Sequence, residues 1–132
     1  MSNETQIGQL SAWGGENGKQ FIHREIGAEF AGISVNTTEP GGEVPFWHSH
    51  ERCEEIYIIV DGRGEFALDD EVLPLEPGTV VRAAPGAMHA LRCLPDSAVP
   101  LRWVCVRAAG EALAEVGRDG TRDEERPFPW SA

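Results

Sequence analysis

The stretch "EVPFWHSHERCEEIY" at residues 43–57 concentrates side chains that bind metal ions. His48 and His50 are separated by one residue, and residues two apart on a β-strand point to the same face. The pair therefore projects two imidazoles in one direction, as two ligands of one metal ion require. An isolated pair of this kind is common on protein surfaces, so a metal site needs further ligands.

A carboxylate and a third imidazole are available. On an unbroken strand Glu54 would share the face of the histidines, whereas a single bulged residue within "ERCE" would put Glu55 there instead. Periodicity leaves both alternatives open. His89 follows a tight turn at Pro85-Gly86 in the second half of the chain. Three imidazole nitrogens and one carboxylate oxygen suit a divalent first-row transition metal.

The elements that must position these residues are predicted to be short β-strands. The chain has 15 glycines and 9 prolines, and turn signals recur at intervals of roughly 8–12 residues. This spacing predicts a β-sandwich or barrel. The predicted strands and hairpins cover residues 20–26, 29–38, 55–62, 64–78 with Asp69-Asp70 at the tip, 79–86, 89–94 and 100–108.

The two ends of the chain have weaker signals. Residues 1–19 are polar and rich in glycine, which predicts a loose arm with Trp13 as a candidate anchor. Residues 110–117 favour one or two helical turns, and the charged residues 118–126 are expected to be solvated. The last aromatic segment, "PFPW" at 127–130, either folds back onto the same barrel or packs on a neighbouring subunit.

Composition limits the classes of function. The 132 residues are expected to form one domain, and the formal net charge of −11 disfavours binding to nucleic acid or to anionic membranes. The longest strongly apolar run, "IYIIV" at 56–60, is far too short to cross a bilayer. The three cysteines form no C-x-x-C pair, which predicts free thiols and a cytoplasmic location.

Two spaced patterns resemble the motifs of the cupin superfamily. Gly42-x5-His48-x-His50-x4-Glu55-x6-Gly62 is similar to the first cupin motif, and Gly78-x7-Gly86-x2-His89 is similar to the second. The 15 residues between them, 63–77, make a short segment of the kind that this family has. The resemblance covers roughly residues 29–108.

This resemblance implies an all-β fold, a double-stranded β-helix (jelly-roll) cupin barrel. The barrel core would span residues 29–108, with an N-terminal arm at 1–19 and a short helical or irregular C-terminal tail at 109–132. When Gly62 is aligned with the last glycine of the first cupin motif, Glu55 and not Glu54 occupies the position of the carboxylate ligand.

The resemblance further implies one divalent transition metal ion, Fe, Mn, Ni or Zn. Its ligands would be His48, His50, Glu55 and His89. The chain departs from the second motif at two positions, with Ala84 in place of a proline and Cys93 in place of an asparagine. The departures leave the ligand His89 in place but put the side chains that support it in question.

Other residues have two interpretations each. Four are candidates for lining the cavity: Phe46, Tyr57, Arg82 and Trp103. Arg82 would offer its guanidinium to an anionic substrate if it faced inward, and would be a surface charge if it faced outward; Arg102 is open in the same way. Cys53 is either a reactive thiol or, as we favour, a small loop residue. His23 is expected at the surface or at a dimer contact.

The predicted function is that of a metal-dependent enzyme acting on a small organic molecule inside the barrel. Oxygenase, isomerase and decarboxylase chemistry all remain open, because no residue selects among them. The alternative is a non-catalytic cupin that binds a sugar or another small molecule. Related single-barrel cupins are commonly dimers, so a homodimer is expected in either case.

Overall fold

The computed structural model describes residues 7–11, 13–14, 18–116 and 118–130. Within these residues the chain forms ten strands and two short helices. In chain order they are β1 (Lys19–Phe21), α1 (Ile22–Ile26), β2 (Ala31–Thr38), β3 (Trp47–His50), β4 (Glu54–Asp61), β5 (Gly64–Leu68), β6 (Glu71–Leu75), β7 (Val80–Ala83), β8 (His89–Cys93), β9 (Leu101–Ala108), α2 (Leu113–Val116) and β10 (Gly120–Asp123).

The strands form two antiparallel sheets of five strands each. The first sheet has the order β1-β2-β9-β4-β7, and the second has the order β10-β3-β8-β5-β6. Consecutive strands often lie in different sheets, as in β3 and β4, so the chain passes back and forth between them. This arrangement confirms the predicted jelly-roll barrel. No helix in the described part of the chain is both long and apolar enough to span a membrane.

The core lies between the two sheets. One cluster of buried side chains joins Tyr57 and Trp103 of the first sheet to Phe66 and Leu91 of the second. Phe66 and Leu101 are completely buried. Both sheets contribute their inner faces, so one end of the barrel interior is filled with apolar side chains. The polar residues of the first motif lie at the other end.

Turns connect the strands where glycine and aspartate predicted them. Gly62 follows β4 with a φ of 81°, a left-handed conformation that glycine adopts without strain. A Cβ atom at this position would lie 2.5 Å from the carbonyl oxygen of Pro100, so the close approach of the chain also requires glycine. The hairpin of β5 and β6 turns at Asp69-Asp70, as predicted.

One predicted strand is wrong in part. Residues 20–26 were expected to be extended, but the extended backbone ends at Phe21 and α1 begins at Ile22. Gly27 ends this helix in the left-handed conformation, with a φ of 69°. The spacing of the apolar residues in "QFIHREI" fits both the alternation of a strand and the repeat of a helix. Only the capping glycine favours the helix.

The C-terminal segment is more ordered than the sequence suggested. Residues 113–116 form α2, in agreement with the predicted helical turns. Residues 118–126 are mostly exposed, as expected, but they also contain β10, whose backbone pairs with β3 from Gly120↔His50 to Asp123↔Trp47. Most β10 side chains are exposed, but the adjacent Asp119 is buried. Backbone pairing therefore overrides the high charge of this segment.

The aromatic end of the chain folds back onto its own barrel. Phe128 stacks on the buried Trp47 with ring centroids 6.0 Å apart, and Trp130 stacks on Phe128. The indole nitrogen of Trp130 donates a hydrogen bond to Glu43. Of the predicted N-terminal arm, residues 1–6, 12 and 15–17 lie outside the described residues. The carbonyl of Trp13 accepts a hydrogen bond from Thr37 on β2, which ties this part of the arm to the first sheet.

Candidate metal centre

Both histidines of the first pair lie on β3 and face the barrel interior. His48 is paired in register with His89 of the neighbouring strand β8, so two imidazoles from distant parts of the chain lie side by side. Their ring centroids are 4.1 Å apart. The turn before β8 is held against β3 by a hydrogen bond from the Gly86 amide to the His50 carbonyl.

The carboxylate comes from the opposite sheet. After His50 the chain bends at residues 51–53 and enters β4 of the first sheet, where Glu55 is buried and Glu54 is partly exposed. Because the bend separates two strands of different sheets, the parity of β3 does not extend to β4. The structure therefore places Glu55 with the histidines, in agreement with the choice that the cupin resemblance implied.

The four side chains meet at one point. The Nε2 atoms of His48 and His89 lie 2.9 and 2.7 Å from Oε1 of Glu55. His48, Glu55 and His89 offer ligand atoms within 4.8 Å of one another, and Nε2 of His50 lies at the edge of this group, 3.5 Å from Oε2 of Glu55. Donor atoms bound to one ion at about 2.0–2.2 Å are roughly 3 Å apart, so these separations fit a shared metal ion.

Hydrogen bonds on the far sides of two imidazoles orient them. Nδ1 of His89 lies 2.9 Å from the carbonyl oxygen of Ala87, which can only accept, so this nitrogen carries the proton. Nδ1 of His50 donates in the same way to Asp119 at 2.8 Å. In the neutral imidazole the proton on Nδ1 leaves a lone pair on Nε2. Both lone pairs then point toward Glu55, as metal ligation requires.

This donor set fits a cation. A neutral imidazole whose Nδ1 donates has no second proton to place between Nε2 and the carboxylate, yet Nε2 of His89 approaches Oε1 of Glu55 to 2.7 Å. Two facing lone pairs at this distance repel unless a proton or a metal ion lies between them. The remaining contacts to Glu55 come from the Tyr57 hydroxyl, which donates to Oε1 at 3.0 Å, and the Cys105 thiol, which donates to Oε2 at 3.4 Å.

The pKa values of Glu55 and His48 are shifted in the direction that ligation needs. Burial alone would raise the pKa of Glu55, but the hydrogen bonds to the three histidines outweigh it and hold this pKa far below its usual range. Burial lowers the pKa of His48, which favours the neutral ring. For His50, burial also lowers the pKa, but the hydrogen bonds to Glu55 and Asp119 raise it overall. The carboxylate of Glu55 is therefore ionised.

Asp119 is a functional residue that the sequence analysis missed. It lies just before β10, is buried, and accepts hydrogen bonds from His50 and from the backbone amides of Arg52 and Cys53, the latter two at 3.0 Å each. Burial opposes its ionisation, but these three hydrogen bonds lower its pKa to about 2. One carboxylate thus orients a candidate ligand and holds the bend that leads to Glu55. The only signal in the sequence is the Asp119-Gly120 dipeptide, which predicts a turn rather than a site.

A cavity of about 630 Å³ extends from this cluster to the protein surface. Phe46, Tyr57 and Trp103 line it, as do His48, His50 and Glu55. His23, expected at the surface or at a dimer contact, also lies in the cavity wall, where its Nδ1 accepts a hydrogen bond from the Ile33 amide. Exposed residues of α1 and β10 surround the mouth.

Arg82 does not belong to this lining. Of the two orientations that the sequence left open, the structure shows the outward one: the side chain is exposed and forms an ion pair with Glu54. On β7, Val81 and Ala83 are buried and Arg82 alternates with them, so the pleat of the strand directs it to solvent. Arg102 is likewise absent from the lining, since it alternates with the buried Leu101 and Trp103 of β9.

The three thiols are free and buried. Cys53, Cys93 and Cys105 are all buried and none is paired. Burial raises the pKa of Cys53 to about 11, with the Asp119 carboxylate adding to the effect. Burial also raises the pKa of Cys105 well above its ordinary value. Because the thiolate is the nucleophile, these shifts favour the interpretation of Cys53 as a small residue of the bend.

Comparisons with known proteins agree with the fold. The family model described as the cupin domain matches residues 35–107. An uncharacterized protein of Methanocaldococcus jannaschii is 29% identical over 90 residues, which are 66% of this chain and 68% of that protein. The crystal structure of a cupin protein from Bacteroides fragilis has a TM-score of 0.72 at 28% identity and covers 83% of this chain and 87% of that chain.

A third similar structure is that of a protein named for an activity. It is a predicted oxalate decarboxylase from Thermotoga maritima, with a TM-score of 0.54 at 26% identity, and the match covers 58% of this chain and 64% of that one. Since the family match spans more than half of the residues and includes all four converging side chains, this chain belongs to the cupin family.

Proposed function

We propose that this protein is a metal-dependent enzyme that acts on a small organic molecule. One divalent transition metal ion would be held by His48, His50, Glu55 and His89. The observation that carries this proposal is the convergence of three imidazoles and one ionised carboxylate, from two sheets, at the inner end of an open cavity. When bound, such an ion supplies Lewis acidity and open coordination positions for a substrate oxygen or for dioxygen.

The other residues of the site would keep the ligands in place. Tyr57 and Cys105 donate to the two oxygens of Glu55, while Ala87 and Asp119 accept from the two imidazoles that face them. His89 is only 2% exposed, so its side of the cluster is shielded from water. Phe46 and Trp103 give the cavity apolar walls on which a small substrate can pack.

Three measurements test the metal and the reaction class. Elemental analysis of protein purified without added metal should find about one transition metal ion per chain and identify it. Oxygen uptake with catechols, thiols and diketones then tests the oxygenase branch, and product analysis with carboxylic acids and sugars tests the decarboxylase and isomerase branches. A protein that binds one of these compounds tightly and leaves it unchanged would instead be a binding module. Absence of metal under every loading condition would contradict the proposal.

Asp119 is expected to act as a positioning residue. Replacement by alanine removes the acceptor of the His50 proton and of two backbone amides. Loss of such a supporting partner typically costs about 10–100-fold in metal affinity. Competition with a chelating dye measures this loss. Asp119→Asn, which retains one acceptor oxygen, should recover part of the affinity, and the exposed Asp96→Ala should have wild-type affinity. Equal affinities in Asp119→Ala and Asp96→Ala would rule out this role.

The outer face of the first sheet supports the proposed homodimer. Ile58 pairs in register with Val80 and Val104, and Ile58, Val60 and Val80 are 38%, 45% and 61% exposed. Adjacent exposed apolar side chains of this kind mark association surfaces. A second copy of this chain would cover them by a two-fold contact.

Light scattering after size exclusion tests this surface. The wild-type protein is expected to elute as a dimer and Ile58→Glu as a monomer, because the new carboxylate would be buried without a partner. Val72→Glu is the matched control, since Val72 is 43% exposed on β6 of the other sheet. A monomeric wild-type protein, or a dimeric Ile58→Glu variant, would show that this face is not the interface.

The three free, buried cysteines support the cytoplasmic location predicted above.

A further inference from the structure

Positive charge is concentrated in the cavity of a strongly acidic protein. The chain has 11 Lys and Arg residues against 22 Asp and Glu residues. Five of these 11 cations line the cavity, whereas among the described acidic residues only Glu55 and Asp119 do. Both carboxylates are already bound to histidines. The five cations are Lys19, Arg24, Arg107, Arg118 and Arg122.

The cations of the cavity also differ from the others in their partners. Five of the remaining six form ion pairs with carboxylates, as Arg82 does with Glu54 and Arg92 with Glu65. In the part of the chain that the structure describes, none of the five cavity cations has a carboxylate within the 4.0 Å of an ion pair. Among the described residues, the positive charges outside the cavity are thus largely neutralised by ion pairs, and those inside it are not.

Arg107 is partly buried, whereas the other four cations are exposed. It lies on β9 in register with Glu55 of β4 on one side and with Gly32 of β2 on the other. Along β9 it shares the parity of Trp103 and Cys105, which point into the barrel. Its side chain therefore leaves the sheet beside the proposed metal centre, one strand away from the carboxylate ligand.

Gly32 provides space for the guanidinium. A Cβ atom built at Gly32 would lie 3.6 Å from Nε and 3.8 Å from a terminal nitrogen of Arg107. The guanidinium thus lies across the bare backbone of β2, where a longer side chain would compete for the same volume. Among the described residues, no protein acceptor lies within hydrogen-bond distance of its five donors. A ligand in the cavity can supply these acceptors.

The four other cations surround the mouth and come from segments that flank the family match. Lys19 and Arg24 belong to β1 and α1, and Arg118 and Arg122 lie beside or within β10. All four are exposed. Arg24 and Arg122 lie 4.3 and 4.6 Å from the ring centroids of Phe21 and Phe46, which holds them at the rim without neutralising them. A rim of one sign raises the local concentration of oppositely charged molecules.

We propose that the cavity takes a small organic anion and that Arg107 binds its carboxylate or phosphate group beside the metal centre. This inference rests on the proposed function, since the same cavity would hold the substrate. The planar fork of an arginine matches two oxygens of either group, which gives both affinity and orientation. Arg107 is accordingly a residue that determines specificity, and the cations of the rim guide the anion inward.

Calorimetric titration with two matched pairs of probes tests this assignment. Succinate is compared with succinamide and glucose 6-phosphate with glucose, so that each pair differs mainly in charge. Wild-type protein is expected to bind at least one charged probe more tightly than its neutral counterpart by tenfold or more, and the better of the two pairs distinguishes carboxylate from phosphate. Raising the salt concentration should weaken the binding of the charged probe, because salt screens the charges of the exposed rim.

Variants then test whether anion binding depends on Arg107 itself or on the net charge of the protein. Arg107→Gln is expected to lose about tenfold or more in affinity for the preferred anion, equivalent to about 1.4 kcal/mol. Arg107→Lys should lie between it and the wild type, because lysine keeps the charge and loses the fork. Arg82→Gln changes the net charge equally on the outer surface and should bind as the wild type does. Metal content is measured on every sample.

Three results would overturn the inference: equal binding of charged and neutral probes, equal losses in Arg107→Gln and Arg82→Gln, or no binding of either charged probe. If metal is present and the anion preference is absent, only this inference fails. If anions bind through Arg107 and no metal is found under any condition, the proposed function fails and the anion site remains.

Discussion

A variant in which His48 and His50 are both replaced by alanine is expected to lose its metal ion. These residues supply two of the four proposed ligands, and Nε2 of His48 lies 2.9 Å from Oε1 of Glu55. Because loss of a mere supporting partner costs about 10–100-fold in affinity, loss of two ligands should exceed the upper end of that range. Elemental analysis of the purified double variant should therefore find less than about a tenth of the wild-type metal content.

A second readout is independent of purification history. Added metal should raise the melting temperature of chelator-treated wild-type protein, since an ion that binds only the folded state stabilises it. The double variant should show no such shift. His23→Ala is the matched control, because it removes the fourth imidazole of the chain from the same cavity wall and leaves the four candidate ligands in place. Wild-type metal content in the double variant would show that these histidines are not ligands.

Phe66→Ala is expected to have the largest effect on stability. Phe66 is fully buried on β5 and packs between the sheets, with its ring 4.8 Å from that of Tyr57 and stacked 5.7 Å from that of His89. Removing a buried phenylalanine side chain typically lowers the free energy of unfolding by about 3–5 kcal/mol, since apolar burial is lost and a cavity remains. Urea unfolding of metal-free protein measures the change without the contribution of bound metal.

The control for this prediction deletes the same side chain at the surface. Phe30 is 63% exposed, so Phe30→Ala should change the free energy of unfolding by less than about 0.5 kcal/mol. Phe66→Leu keeps most of the buried volume and should cost less than about 1.5 kcal/mol. Equal destabilisation by Phe66→Ala and Phe30→Ala would mean that the core next to the site contributes little to the free energy of unfolding. Because Phe66 stacks on His89, its alanine variant should also bind metal more weakly than the wild type.

Much of the architecture was readable from local patterns. Turn dipeptides such as Asp61-Gly62 and the hairpin tip at Asp69-Asp70 lie where they were predicted, because glycine and aspartate determine turns through their own backbone preferences. Those turns divide the chain into strands too short for anything but a sandwich or barrel. The motif spacing, through its resemblance to the cupin motifs, also predicted the four side chains that the structure brings together.

Other features depended on pairing between distant segments. The cupin resemblance implied Glu55 rather than Glu54, but strand alternation could not, because the chain bends at 51–53 and passes from one sheet to the other, and alternation holds only within a continuous strand. The orientation of Arg82 depended on which face of β7 met the core. Local propensity could not decide either, because both faces of β4 and β7 carry apolar residues.

The surroundings of the site were decided by tertiary structure alone. Asp119 reaches His50 across 69 positions of sequence only because β10 pairs with β3, and nothing in "RDG" indicates that pairing. Nothing in the local sequence distinguishes Arg107 from the other charged residues, and only its register with Glu55 places it beside the site. Residue types and spacing determined which groups could bind a metal ion. The folded barrel decided which groups support and surround them, because those contacts join segments that no local rule connects.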